Sequence, residues 1–339
     1  MLGFRLFFVA QPPGMKRIGI LLIQVLITGI GLWYVFHDPQ RRAQIAEALR
    51  HASWGWVVIG WACYSVVEVL ATVRWQILLR IQGIHVSWPQ TGGIVMIGLF
   101  FNQFLPGGIG GDAMRLYFIF KLAPRRKIGA ALSIAMDRMF GLFTLLFLAS
   151  ASFSLRFSWL THSGISRHIA YVAVALLSAS LAFVVLLFCL MGSGLLHRLP
   201  RALPFRNVMM QSGEALLAYR NHLMAMAFAF PITIVAHLAY YTTFYCAGES
   251  LRASTPKAFG ASLADMLSIM PLVDTIISVP ISIGGLGVRE TLFQELLGNL
   301  AHVPPAVAAF TASLGYAIQA FWGLVGAAIF VASQKFIHR

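Results

Sequence analysis

Ionisable residues are scarce in this chain. Only 11% of its 339 residues are Asp, Glu, Lys or Arg. A soluble domain carries about 25%, so a water-soluble globular fold is excluded. Acids are the scarcer sign, with 11 Asp and Glu against 25 Lys and Arg. There are three cysteines, Cys63, Cys189 and Cys246, all inside apolar runs. Their spacing fits no metal motif and offers no disulfide framework, so neither a metal nor a cofactor is expected. No Walker A loop, HExxH motif, or Ser–His or Cys–His constellation is apparent. Ser282 is a hydroxyl beside a glycine turn, but it has no evident base. The net charge of +14 does not imply nucleic acid. The Lys and Arg residues sit in short clusters between apolar runs, as cytoplasmic loops facing anionic lipid do.

Apolar sequence fills the space that charge leaves: 59% of the residues are hydrophobic. Six runs are long enough to cross a bilayer, at 18–37, 54–79, 128–154, 168–191, 222–246 and 306–333. The first follows Lys16 and Arg17 and shows no small-residue cleavage site, so it reads as a retained span. Two further apolar segments, 89–118 and 259–289, are interrupted, and the interruptions are alike. Residues 105–115 read LPGGIGGDAMR and residues 279–289 read VPISIGGLGVR. Pro106, Ile109, Gly110, Gly111 and Arg115 align with Pro280, Ile283, Gly284, Gly285 and Arg289. Pro and paired Gly break a helix, and a broken element repeated once per half points to a transporter-type site. A continuous helix of 30 residues would be about 45 Å long, too long for a core of about 30 Å. Two half-helices that turn back at mid-depth fit better.

Loop charge supports the hairpins. The densest basic run, Lys121, Arg125, Arg126 and Lys127, falls in the cytoplasm only if segment 89–118 is re-entrant. The same logic places loop 290–305, with Glu290, Glu295 and no Lys or Arg, on the outer face. Arg41, Arg42 and Arg50 fit the scheme less well. The expected fold is an all-α polytopic membrane protein with six full spans and two oppositely oriented re-entrant helical hairpins in an inverted repeat. Its parts are a loose tail (1–15), a first half (16–155), a second half (168–333) and a cytoplasmic tail (334–339). Both termini lie in the cytoplasm. Segment 200–221 reads equally as an amphipathic surface helix or a polar loop.

A charge at the centre of an inserted helix costs about 2.5–3.5 kcal/mol, so the ionisable residues inside the apolar segments must face one another or water. They are Glu68, Arg74, Asp112, Arg115, Asp137, Arg138, Asp265, Asp274, Arg289 and Glu290. Arg115 and Arg289 each follow a glycine pair by four residues, at the start of a half-helix whose amides can hold an anion. Gly110, Gly111, Gly284 and Gly285 would supply those amides, and the two arginines could clamp a phosphate. The alternative is that the arginines only lock the nearby acids. Asp137 and Gly141 share a helix face, which would let backbone approach closely beside the carboxylate. Asn102 reads first as a cap for backbone freed by the break. Asp274 is a proton or cation site or a partner for Arg289. Glu68 and Arg74 are weaker candidates, because Arg74 lies near a span end and can snorkel. His237 reads as a packed polar residue, and the aromatic run 239–246 as interface or helix packing.

NQFLPGGIGGDAMR (102–115), DRMFG (137–141) and PISIGGLGVRE (280–290), in that order, resemble the flippase-like family of lysylphosphatidylglycerol synthase transmembrane domains, over about residues 16–333. The resemblance implies movement of an anionic or modified phospholipid, a glycolipid or a hopanoid-type lipid between leaflets of a bacterial inner membrane. It implies substrate contacts at Asn102, Gly110, Gly111, Asp112, Arg115, Asp137, Arg138, Gly284, Gly285, Arg289 and Glu290. No aminoacyl-transferase domain follows residue 333, which argues against lysyl-phosphatidylglycerol made by this chain. Membrane lipids with anionic headgroups are the expected partners, along with a second copy of the chain and lipid-synthesis enzymes. An intramembrane lipid phosphatase or transferase is the alternative, and a non-catalytic assembly factor or channel a third reading.

Overall fold

The computed structural model describes residues 39–104, 110–192, 217–252, 260–279 and 282–337, together with Ala215 and isolated positions before residue 39. Most of the first expected span, the turn 105–109 and most of segment 200–221 lie outside the described residues. Every regular element among the described residues is helical. Five helices are long and apolar enough to cross a membrane, so this is a multi-pass membrane protein. They are α2 (Trp54–Ile81), α5 (Lys127–Leu155), α7 (Gly164–Gly192), α8 (Leu223–Leu251) and α11 (Pro305–Ile337), and they coincide with five of the six expected spans. Large apolar side chains such as Phe183, Met224 and Phe228 point outward, as hydrocarbon surroundings favour.

The two interrupted segments are each a helix, a break and a second helix. The first is α3 (Trp88–Phe104) and α4 (Gly110–Leu122); the second is α9 (Leu263–Ser278) and α10 (Val288–Ala301). In the first pair the chain doubles back. Gly111 lies against Asn102 and the Gly98 carbonyl, while Gly98 lies against the stem of Arg115. Moving forward along α4 therefore means moving backward along α3. A methyl group on Gly111 would collide with the Gly98 carbonyl, so the close approach depends on glycine. In the second pair, Met266 near the start of α9 shares a small cleft with Leu297 of α10 and Val303 just beyond it, so this chain doubles back as well. Ser262 and Asp265 cap α9 reciprocally, with Asp265 N–H donating to Ser262 Oγ at 3.1 Å and Ser262 N–H to Asp265 Oδ2 at 2.9 Å. The break carries glycines at φ +60° (Gly284), +77° (Gly285) and +81° (Gly287), a region that residues with a Cβ avoid.

One expectation fails in this second segment. Residues 288–301 are helix α10, not part of an outer loop. Its two glutamates are partnered rather than solvated: Gly287 N–H donates to Glu290 Oε2 at 2.7 Å, and Asn299 Nδ2 donates to Glu295 Oε2 at 3.3 Å. Residues 39–50, the loop with the poorly fitting arginines, form helix α1 (Pro39–Arg50).

The mouths of the two pairs lie at opposite ends of α5. Gly83, Ile84 and Val86, which follow α2, share a cleft with Leu122 and Ala123 just before α5. At the other end, Arg156 Nη1 donates to Asp265 Oδ1 at 2.5 Å, and Trp159 Nε1 in the short helix α6 (Phe157–Leu160) donates to the Leu300 carbonyl at 3.1 Å. Each pair has its own apolar core. Trp75, Leu79, Ile94, Met114 and Ile119 surround the first, and Phe244, Met266, Ile269, Phe293 and Leu297 surround the second. Helix α11 touches both. Ser313 Oγ donates to Glu290 Oε1 at 3.0 Å, and Gly326 packs on the Met96 carbonyl of α3.

Candidate functional site

The two breaks meet. The Gln103 carbonyl at the end of α3 accepts a 3.3 Å hydrogen bond from Tyr316 Oη. A methyl group on Gly284 would sit 3.1 Å from that carbonyl and 2.6 Å from the Tyr316 hydroxyl. Two groups of buried charge flank the junction.

The first group is an interlocked set of arginines and acids. Asp137 on α5 accepts from Arg74 Nε at 2.6 Å and from Arg115 Nη1 at 3.0 Å, one arginine per carboxylate oxygen. Arg115 lies 3.6 Å from Asp112, and Arg138 Nε donates to Asp112 Oδ2 at 2.8 Å. Glu68 lies within electrostatic reach of Arg74 and Arg115. Three arginines thus face three carboxylates, and the pairing offsets the cost of burying each charge. The Arg115 guanidinium is 4.2 Å above the Trp75 ring, a cation–π contact that also fixes its direction. Trp75 is held by its own bond, Nε1 to Ser133 Oγ at 3.2 Å. Asn102 Oδ1 accepts from the Gly111 amide at 2.9 Å, the capping bond its place before the break suggests. Arg138 is half exposed at the edge of the group.

The second group centres on Arg289. This residue is 4% exposed, yet its Nε and Nη1 have no hydrogen-bond partner. Aromatic faces hold the guanidinium, with Tyr316 at 5.1 Å and Phe244 at 5.4 Å. Asp274, Glu290 and Tyr240 lie within electrostatic reach, and Tyr241 lies beside Asp274. Glu290 is fully buried and engaged as the N-terminal cap of α10 and as the acceptor from Ser313.

A cleft of about 320 Å³ joins the groups. It is lined by Val67, Ala71 and Arg74 of α2, Ala236, His237 and Tyr240 of α8, and Asp274, Ile277 and Ser278 of α9. A cation of the first group and an acid of the second therefore open into one space. Arg74 also donates to Thr233 Oγ1 at 3.2 Å, and His237 Nδ1 is 2.9 Å from the Thr233 carbonyl.

Asp112, Arg115, Asp137 and Arg138 are thus brought together as one group, with Asn102, Gly110 and Gly111 at its edge. Asp274, Arg289, Glu290, Gly284 and Gly285 gather in the other. Arg74 does not snorkel: its side chain is 12% exposed and bound to Asp137. The high cost of an arginine within an apolar span was the signal that it needed an acid. No backbone packs beside Gly141, where an added methyl would meet nothing within 4 Å, so the close approach expected there does not occur. Sequence reasoning misses Tyr240, Tyr241 and Tyr316 as neighbours of the charges, because aromatic sequence alone does not distinguish a lipid-facing ring from one against a buried charge. No group of His, Cys, Asp and Glu suited to a metal is found among the described residues.

Residues 21–328 match the family described as Lysylphosphatidylglycerol synthase TM region. Two proteins of Methanothermobacter thermautotrophicus, each named a UPF0104 membrane protein, are similar over shorter stretches. One is 27% identical over 124 residues, 36% of this chain and 33% of the relative. The other is 26% identical over 136 residues, 40% of this chain and 39% of the relative. The chain thus spans well under half the length of these curated relatives.

Proposed function

The chain belongs to the family of the lysylphosphatidylglycerol synthase TM region, and on that premise we propose that it moves a lipid with an anionic or modified headgroup between leaflets without ATP. The cleft that opens onto both Arg74 and Asp274 carries this reading. A headgroup crossing the bilayer must exchange water for fixed charges and dipoles, since each bare charge at the centre costs about 2.5–3.5 kcal/mol. Acyl chains remain in the lipid while the polar group passes through the cleft.

In the proposed cycle Asp137 neutralises Arg74 and Arg115 while the cleft is empty. Arg74 turns toward an arriving phosphate, and Arg289, which has unpartnered Nε and Nη1, receives it next. Asp274 balances Arg289 when the site is empty. The chain acts as an inverted-topology repeat with halves 16–155 and 168–333, in which the hairpins enter from opposite faces and alternate in opening the cleft. The opposed mouths along α5 support that arrangement. Both termini are cytoplasmic in a bacterial inner membrane, and no covalent chemistry is performed.

Reconstitution tests the reading. Liposomes containing the protein and a headgroup-labelled lipid are compared with empty liposomes for loss of the outer-leaflet label. Faster exchange for one of the lipid classes is expected. Rates equal to those of empty liposomes for anionic phospholipids, glycolipids and polyprenyl phosphates alike would overturn it. Release of phosphate or a changed lipid mass would favour an intramembrane enzyme.

A further inference from the structure

A further cleft lies away from the buried charges, at the mouth of the first hairpin. It encloses about 690 Å³ and is lined by Ile81, Gln82, Arg125, Arg126, Lys127 and Ala215, among others. A second cleft of about 400 Å³ shares Arg125 and Arg126 with it and adds His85. No acidic side chain lines either cleft among the described residues. Helix α5 begins here: its N-cap, Arg126, makes no side-chain capping bond, and Lys127, Ile128 and Gly129 of its first turn line the cleft. Arg126 Nη1 donates to the Gln82 carbonyl at 2.7 Å. Lys127 lies 6.0 Å above the Phe120 ring. Arg125 makes no hydrogen bond or ion pair among the described residues, and it stands on the ridge between the two clefts.

We propose that this cleft holds the phosphate headgroup of an anionic lipid, at a site separate from the charged cleft inside the helix bundle. Uncapped helix amides, the positive end of a helix dipole and clustered cations are the chemistry of a phosphate site. The source is a lipid rather than a free phosphate because of where the cleft sits and what borders it. It lies where α2 and α4 end and α5 begins, at the polar boundary of three membrane segments. Ile81 and Ile128 line it, and Leu122 beside it is 47% exposed, so acyl chains would meet apolar surface directly below the phosphate. The site requires no transport and stands or falls apart from it.

The test uses the full chain in phosphatidylcholine nanodiscs carrying a few mole per cent of phosphatidylglycerol, with retained lipid counted by native mass spectrometry. A Ser278→Trp substitution, which fills the internal cleft, is present throughout, so that retained anionic lipid reports this second site. Arg125→Gln with Lys127→Gln should weaken retention roughly 30-fold, at about 5-fold per cation removed. Arg50→Gln on α1, the loss of one charge elsewhere, should leave it unchanged. Arg125→Gln alone should cost about 5-fold, and its side chain holds no bond that folding needs. Retention within twofold of the parent in both Arg125 variants, or no retained anionic lipid in the parent, would overturn the proposal. Displacement of the lipid by millimolar glycerol phosphate would overturn the choice of a lipid.

Discussion

Asp137 is the residue on which most of the buried charge depends. One carboxylate accepts from Arg74 at 2.6 Å and from Arg115 at 3.0 Å. Asp137→Asn leaves two arginines partly uncompensated inside the bundle, so it should cost about 3–5 kcal/mol, read as a drop in melting temperature in detergent. Arg138→Gln removes a half-exposed partner of Asp112 and should cost less than about 1 kcal/mol. If the two variants melt alike, the first group is not a cooperative network. Gly284 gives a second test at this scale. Gly284→Ala meets a left-handed backbone, worth about 1–2 kcal/mol, and the Tyr316 hydroxyl at 2.6 Å. Adding Tyr316→Phe should relieve the collision but not the backbone strain, so only part of the lost stability should return. The sequence shows these charges as expensive and therefore paired. It does not show which pairs form, because Arg74 and Asp137 lie 63 positions apart and meet only when α2 packs on α5.

At the scale of elements, the broken helices were legible because Pro and paired Gly interrupt an apolar run twice in the same pattern. The first pair matches expectation closely, with a helix of 17 residues and a return of 13. The return of the second pair was not legible. Glu290 and Glu295 mark residues 290–301 as polar, and charge in a loop looks the same in sequence as charge capping a helix. Glu290 should therefore behave as structure. Glu290→Ala removes the acceptor for the Gly287 amide and for Ser313, at about 1–3 kcal/mol for the buried donors left unpaired. Hydrogen exchange at the start of α10 should quicken while α4 stays protected. Equal exchange in both helices would show that the cap does not hold this element.

The whole molecule is built around α5, which runs from the mouth of one hairpin to the mouth of the other. Composition and run length sufficed to read a polytopic helical protein. The joining cleft was not legible, since its lining comes from α2, α8 and α9, elements far apart in the chain. Opposed mouths imply opposed exposure. With the native cysteines replaced by alanine, a cysteine at Arg125 should label only from the cytoplasmic side. One at Ser163, close to the other end of α5, should label only from outside; labelling of both from one side would remove the inverted repeat. The cleft as the route for a headgroup is tested most directly by filling it. Ser278 is exposed within the cleft and its hydroxyl bonds only the Thr275 carbonyl of its own helix, at 2.7 Å, so Ser278→Trp blocks the space without changing charge. In reconstituted liposomes, leaflet exchange of the labelled lipid should fall to the rate of empty liposomes while the melting temperature stays near that of the parent. Exchange at the parent's rate in a folded Ser278→Trp protein would contradict the cleft as the path.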